Sequence, residues 1–214
     1  MKPIAVLGSG IVGETLANGF LARGFAVTRA SREPSKLAAW KAGAGVNAKT
    51  ATFEEAARSA GLVVLAVKGT AAEAAVSLCN SALDGKVVID TTNPIADLPP
   101  VNGVLQFFTG PNDSLLERLQ KRAPAARFVK AFSCVGSAHM LNPDFGGAKA
   151  TMFICGNDEA AKSEVGELLK TLGWDIADMG AVEAARAIEP LCMLWCIPGL
   201  RGGSWSHAFK LLKK

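Results

Sequence analysis

The stretch Gly8-Ser9-Gly10-Ile11-Val12-Gly13 constrains the fold more than any other part of the chain. It follows an apolar run, Ile4-Ala5-Val6-Leu7, and opens a segment, Ile11 to Ala22, in which Leu16, Ala17 and Phe20 fall on one helical stripe. A glycine triplet alone is a weak signal. Set between a predicted strand and a predicted helix, it reads as the first turn of a dinucleotide-binding βαβ unit. Gly8 permits the tight turn, Gly10 lets the backbone approach a pyrophosphate, and Gly13 lets the helix pack closely on the strand. The freed amides and the positive end of the helix then favour an anion.

Further along, short apolar runs alternate with helical stretches. Strands are expected at 25–28, 62–67, 87–89 and 128–131, with helices from Pro34 to Trp40 and at 53–59, 71–82 and 115–122. This alternation predicts an α/β protein, a Rossmann-type doubly wound parallel sheet with helices on both faces. The loop from Thr91 to Asp113 follows a strand end, where open α/β sheets bind ligands. Near residue 140 the texture changes. A strand (151–155), a helix (159–172), a strand (174–177) and an apolar helix (182–196, broken at Pro198-Gly199) suggest a small C-terminal α/β lobe. The expected division is 1–140 for the nucleotide-binding domain and 141–214 for the lobe, which would supply an acceptor pocket and a dimer contact.

Composition excludes several functions. Tyrosine is absent, which removes Ser/Tyr/Lys carbonyl-reductase chemistry. The two histidines, His139 and His207, leave little for a metal centre, and none is predicted. Five cysteines without a Cys-x-x-Cys read as buried thiols, with Cys192 and Cys196 on one helix face. A net charge of +4 is too mild for a nucleic-acid binder. The apolar run Leu62 to Val67 is far short of a membrane span, and the start does not read as a signal peptide, so a cytoplasmic protein without a membrane partner is expected.

The slot after the second strand distinguishes the two nicotinamide dinucleotides. Ser31 falls there, followed by Arg32, with Lys36 one turn on. An NAD site would place a carboxylate in that slot. A hydroxyl and a planar guanidinium suit the 2′-phosphate of NADP instead. Glu33 would serve an NAD ribose if the strand ended one or two residues later.

With Gly8 to Gly13, Ser31-Arg32, Lys36, Asp90-Thr91-Thr92-Asn93-Pro94, Val129-Lys130-Ala131-Phe132 and Ala185 to Leu191, the chain resembles the F420H2:NADP oxidoreductase family. The resemblance implies that Ser9, Gly10, Ile11 and Val12 hold the pyrophosphate. Ser31, Arg32 and Lys36 would hold the 2′-phosphate. Val67, Lys68, Asn93 and Pro94 would border the ribose and nicotinamide. It also implies a homodimer, NADP(H) as cofactor, and F420 or a flavin as second ligand. Many relatives carry Asn-Thr where this chain has Ser133-Cys134, beside the second-ligand pocket.

Hydride transfer between two ring systems needs orientation and exclusion of water, not a side-chain acid. That is the leading expectation, with a small-molecule redox acceptor as partner. Reduction of a small carbonyl or imine would need a proton donor, for which Lys68, His139 and Cys134 are the candidates. A non-catalytic NADP(H) sensor is the third reading. The segment Leu191 to Leu200 is either core or dimer contact, or an apolar wall against a flat ring.

Overall fold

The structure is a computed structural model describing residues 2–214. Six parallel strands form one sheet in the order β3-β2-β1-β4-β5-β6. These are β1 (Ile4–Leu7), β2 (Val27–Ala30), β3 (Ala48–Ala51), β4 (Leu62–Leu65), β5 (Val87–Asp90) and β6 (Arg127–Lys130). β1 and β4 are buried at every position, as strands covered on both faces must be. This is the expected doubly wound sheet, and its direction of winding reverses between β1 and β4.

Helix α1 (Ile11–Leu21) covers one face with Leu16, Ala17 and Phe20. Helices α3 (Phe53–Ser59), α4 (Gly69–Ser77) and α5 (Leu115–Arg122) cover the other. A short α2 (Ala38–Gly43) follows a 3-10 turn at Pro34–Leu37. Beyond residue 140, β7 (Thr151–Ile154) and β8 (Asp175–Asp178) form a separate parallel pair. Helix α6 (Glu159–Thr171) joins them and sends Ala161, Val165 and Leu169 into the core that α1 also covers.

Three local expectations need correction. Strand β3 went unread because Ala-Lys-Thr-Ala carries no apolar run. It is a sheet edge, paired on one side only, with β2. Strand β2 begins two residues later than expected and ends at Ala30. The last helix, α7 (Ala185–Gly202), does not break at Pro198. A proline removes one helical hydrogen bond without forbidding the turns around it. Trp195 packs over Gly136 and Trp205 over Gly199, which hold this stretch of helix in place, and Gly203 ends it at φ 73°. Among the described residues no helix is long and apolar enough to cross a membrane.

A buried ion cluster ties the C-terminal helix to the sheet. Lys130 is fully buried, and its Nζ lies 2.6 Å from Asp90 Oδ2 and 2.8 Å from Glu189 Oε1 of α7. It also donates to the Thr92 carbonyl at 2.8 Å. Glu189 in turn accepts from the Leu115 and Leu116 amides, the orphan donors at the start of α5. Burial alone would lower the lysine pKa, but the two carboxylates outweigh it and hold it above the ordinary value. Removing one partner strands the other charges, so Lys130→Met is expected to cost about 3–5 kcal/mol in urea unfolding. An unchanged midpoint would show that the cluster contributes nothing.

Candidate active site

Where the winding reverses, the carboxyl ends of β1 and β4 open a cleft of about 330 Å³. Gly8, Ser9, Gly10, Ser31, Arg32, Lys36, Val67 and Lys68 line it, so the structure brings eight of the sequence-predicted residues together. The other five stand elsewhere. Ile11 points to solvent at the head of α1, Val12 packs against the core, and Gly13 is buried against the Gly8 carbonyl. Asn93 and Pro94 lie beyond β5; Asn93 Nδ2 donates to the Ser133 carbonyl at 3.1 Å, and the Pro94 carbonyl accepts from Phe108.

The glycines of the turn have separable reasons. A Cβ on Gly8 would sit 2.1 Å from the Ala66 carbonyl oxygen, and its φ of 152° is already unfavourable for other residues. A Cβ on Gly13 would meet the Gly8 carbonyl at 2.6 Å. A Cβ on Gly10 would meet nothing within 4 Å and would project from the cleft wall. The fold demands Gly8 and Gly13, whereas packing places no such demand on Gly10.

At the other end of the cleft, Ser31 directly follows β2 and is buried. Its Oγ accepts from the Glu33 amide at 3.2 Å, so the hydroxyl hydrogen stays available to donate. Arg32 forms no ion pair among the described residues and lines the cleft. Lys36 is held 3.0 Å from Glu33 Oε1, and both are exposed. Phe53, Ala71, Ala74, Ala75 and Leu78 add an apolar wall that sequence reasoning did not find, because Phe53 and Leu78 lie on separate helical segments. It also missed Arg29, buried within β2 beneath the glycine turn.

The proton-donor candidates do not converge. Lys68 lines the cleft and pairs with Asp97, both exposed. Burial pushes the Cys134 thiol up to about 12, a poor acid. His139 packs on Phe145, with ring centroids 5.1 Å apart, outside the cleft. His207 stacks on Trp195 at 4.9 Å and its Nε2 meets the Trp195 carbonyl at 2.8 Å, a structural use. No group of three His, Cys, Asp or Glu able to hold a metal occurs among the described residues.

Comparison with known proteins bears on this cleft. Residues 3–94 match the family described as NADP oxidoreductase, coenzyme F420-dependent. A solved structure from Arthrobacter sp. FB24, named for a proposed F420-dependent NADP-reductase activity, is 32% identical. Each chain covers 100% of the other, with a TM-score of 0.92. The chain belongs to this family of NADP-dependent oxidoreductases. The rat (Rattus norvegicus) metalloreductase STEAP3 is 32% identical over 92% of this chain, which spans only 38% of that protein's length. An imine reductase of Streptomyces aurantiacus shares the fold, with 20% identity and a TM-score of 0.67, over 90% of this chain and 60% of its own.

The family's glycine turn therefore makes a direct prediction about stability in this member. Gly8→Ala is expected to destabilise by about 1–3 kcal/mol or more, through backbone collision. Gly10→Ala is expected to change stability by less than about 0.5 kcal/mol. Thermal unfolding of the two variants checks the contrast; equal losses would show that Gly10 also serves packing.

Proposed function

We propose that the protein transfers hydride between NADPH and a flavin or deazaflavin acceptor of the F420 type. The observation that carries the nucleotide half is Ser31 directly after β2, with the guanidinium of Arg32 lining the same cleft. The Ser31 hydroxyl and Arg32 would grip a 2′-phosphate, with Lys36 contributing once its pairing with Glu33 loosens. The amides of Ser9 and Gly10 would face the pyrophosphate, and the clearance at Gly10 fits a ligand pressed against the backbone. The apolar wall of Phe53, Ala74 and Leu78 suits the adenine. When bound, the nicotinamide supplies the hydride; this chain's task is to bind, orient and keep water out.

For the acceptor half, support comes from the family and from the dispersal of the proton donors. With Cys134 buried and His139 packed on Phe145, neither offers an acid at the cleft. A ring acceptor does not require one. Reduction of a small carbonyl or imine is the second reading. It is favoured by one observation, that Lys68 lines the cleft with its ammonium exposed. The homodimer and the cytoplasmic setting are further proposals, resting on the resemblance and on the sequence.

Arg32→Ala is expected to weaken NADPH binding by about 1.5–3 kcal/mol and to leave NADH binding nearly unchanged. Equal losses for the two nucleotides would remove the 2′-phosphate from this end of the cleft. Purified protein with NADPH should reduce a deazaflavin or a flavin such as FMN or FAD faster than quinones or small carbonyls. A Lys68→Met variant should keep that activity. Turnover confined to carbonyls or imines, and lost in Lys68→Met, would establish the second reading; tight NADPH binding with no turnover on any acceptor would point to a sensor.

A further inference from the structure

We infer that Arg29 is a positioning residue for the nucleotide site: from beneath the sheet rim it turns the amides of Ser9 and Gly10, in the glycine turn, toward the cleft. This rests on the NADP-binding reading above and adds a residue to which that reading gives no part.

Arg29 lies in the middle of β2, among apolar neighbours, with 1% of its surface exposed. Such a residue needs its charge and its donors answered inside the protein. Nε donates to the Gly8 carbonyl at 3.2 Å. One terminal nitrogen donates to the Ser9 carbonyl at 2.9 Å and the Gly10 carbonyl at 3.0 Å. The other meets Glu14 Oε2 of α1 at 3.0 Å. The guanidinium lies 5.3 Å from the centre of the Trp40 ring. It is a fixed fork, held by an aromatic ring and an ion pair, that collects three successive carbonyls.

The geometry of the peptide unit gives this a consequence. All peptide bonds among the described residues are trans. In a trans unit the carbonyl of one residue and the amide of the next point in opposite directions. Drawing the carbonyls of Gly8 and Ser9 onto Arg29 therefore turns the amides of Ser9 and Gly10 away from it, while the Gly10 carbonyl, which Arg29 shares with the Glu14 amide, is directed by helix α1. Ser9 and Gly10 line the cleft, and neither of their amides donates to another group of the chain among the described residues. Successive free amides at a helix start form an anion-binding concavity. Glycine lets the turn adopt many shapes; Arg29 selects the one in which that concavity is formed before the ligand arrives. Lysine cannot replace it, because one ammonium lacks the planar spread of donors.

The test compares wild type, Arg29→Met and Arg29→Lys by calorimetry with three probes. These are NADPH, 2′-phospho-ADP-ribose, which carries the pyrophosphate, and 2′-AMP, which lacks it. Both variants should bind NADPH and 2′-phospho-ADP-ribose about tenfold or more weakly, while 2′-AMP binding stays within about twofold. NADH should weaken in parallel with NADPH, unlike the selective loss expected for Arg32→Ala. General damage to the fold would instead weaken 2′-AMP as well, and that result overturns the inference. So does unchanged NADPH binding in a folded variant. Should Arg29→Met fail to fold, Arg29→Lys, which keeps the charge, decides by the same comparison. Wild type that binds none of the probes defeats the NADP reading itself, a separate outcome.

Discussion

Where the strands of a parallel sheet stop pairing, main-chain carbonyls at the rim lose their neighbours, and the loops that bind ligands begin there. This protein answers the difficulty with buried cations. Arg29 takes the carbonyls of Gly8, Ser9 and Gly10, and Lys130 takes that of Thr92. Each cation is neutralised by carboxylates on a helix or a neighbouring strand, Glu14 for the first and Asp90 with Glu189 for the second. A buried charge left without its partner is expensive, so each cation depends on its carboxylates, most of all Lys130, whose partners are buried with it. The loops above them inherit that definition. The cost of desolvation is borne beneath the rim, and the amides left over face outward.

The second cluster also explains how a helix distant in sequence reaches the rim. Glu189 is anchored on one side by Lys130 and on the other by the first amides of α5. Arg186, one turn earlier on α7, pairs with Glu117 of α5, and that contact holds the Glu117 carboxyl below its ordinary pKa. Helix α7 is thereby fixed against β5, β6 and α5 together. The chain beyond it folds back, and the Phe209 carbonyl accepts from the Thr151 amide of β7. The loop after β6 is shaped by the same packing. Phe132 adopts φ 62°, a conformation a bulky residue rarely takes, with its amide on Met152 Sδ and its ring edge-on to Trp174. The turn presents the Ser133 carbonyl to Asn93 Nδ2, joining the ends of β5 and β6.

Much of this was legible in the sequence where a single residue type has a single physical reason. The glycine turn announced β1 and α1, because few sequences other than Gly-x-Gly-x-x-Gly satisfy two close backbone approaches at once. The apolar strands β1 and β4 were legible because burial on both faces leaves no polar alternation. Edge strand β3 was not, since a half-exposed Ala-Lys-Thr-Ala has no pattern that a loop lacks. The continuity of α7 through Pro198 was hidden because Gly136, which admits Trp195, is far from the proline in sequence, and Gly199, which admits Trp205, reads as a breaker itself. Of the site, the polar slot at Ser31 and Arg32 followed from counting along one strand. The apolar wall did not, because Phe53 and Leu78 meet only when the sheet has wound. Arg29 was invisible for a different reason. An arginine in a strand of alternating character reads as a solvated side chain, and only the carbonyls gathered above it reveal its use.

The charge pattern in the cleft argues for order in binding. Lys36 rests on Glu33, while Arg32 forms no ion pair among the described residues. An exposed pair of this kind is worth little on its own, so on the proposed reading a 2′-phosphate would displace it at small cost. On the same reading, an unphosphorylated ribose would gain nothing by displacing it and would meet a guanidinium. The hydroxyl of Ser31, in the slot after β2, and the guanidinium of Arg32 would on that reading favour the phosphorylated ribose, while the Glu33 carboxylate, which also lines the cleft, is held to Lys36. Moving the carboxylate of Glu33 into that slot would require the strand to end two residues later. The pairing of β2 with β3, which runs to Ala30 opposite Ala51, and the hydrogen bond from the Ser31 amide to the Ala51 carbonyl fix where it ends.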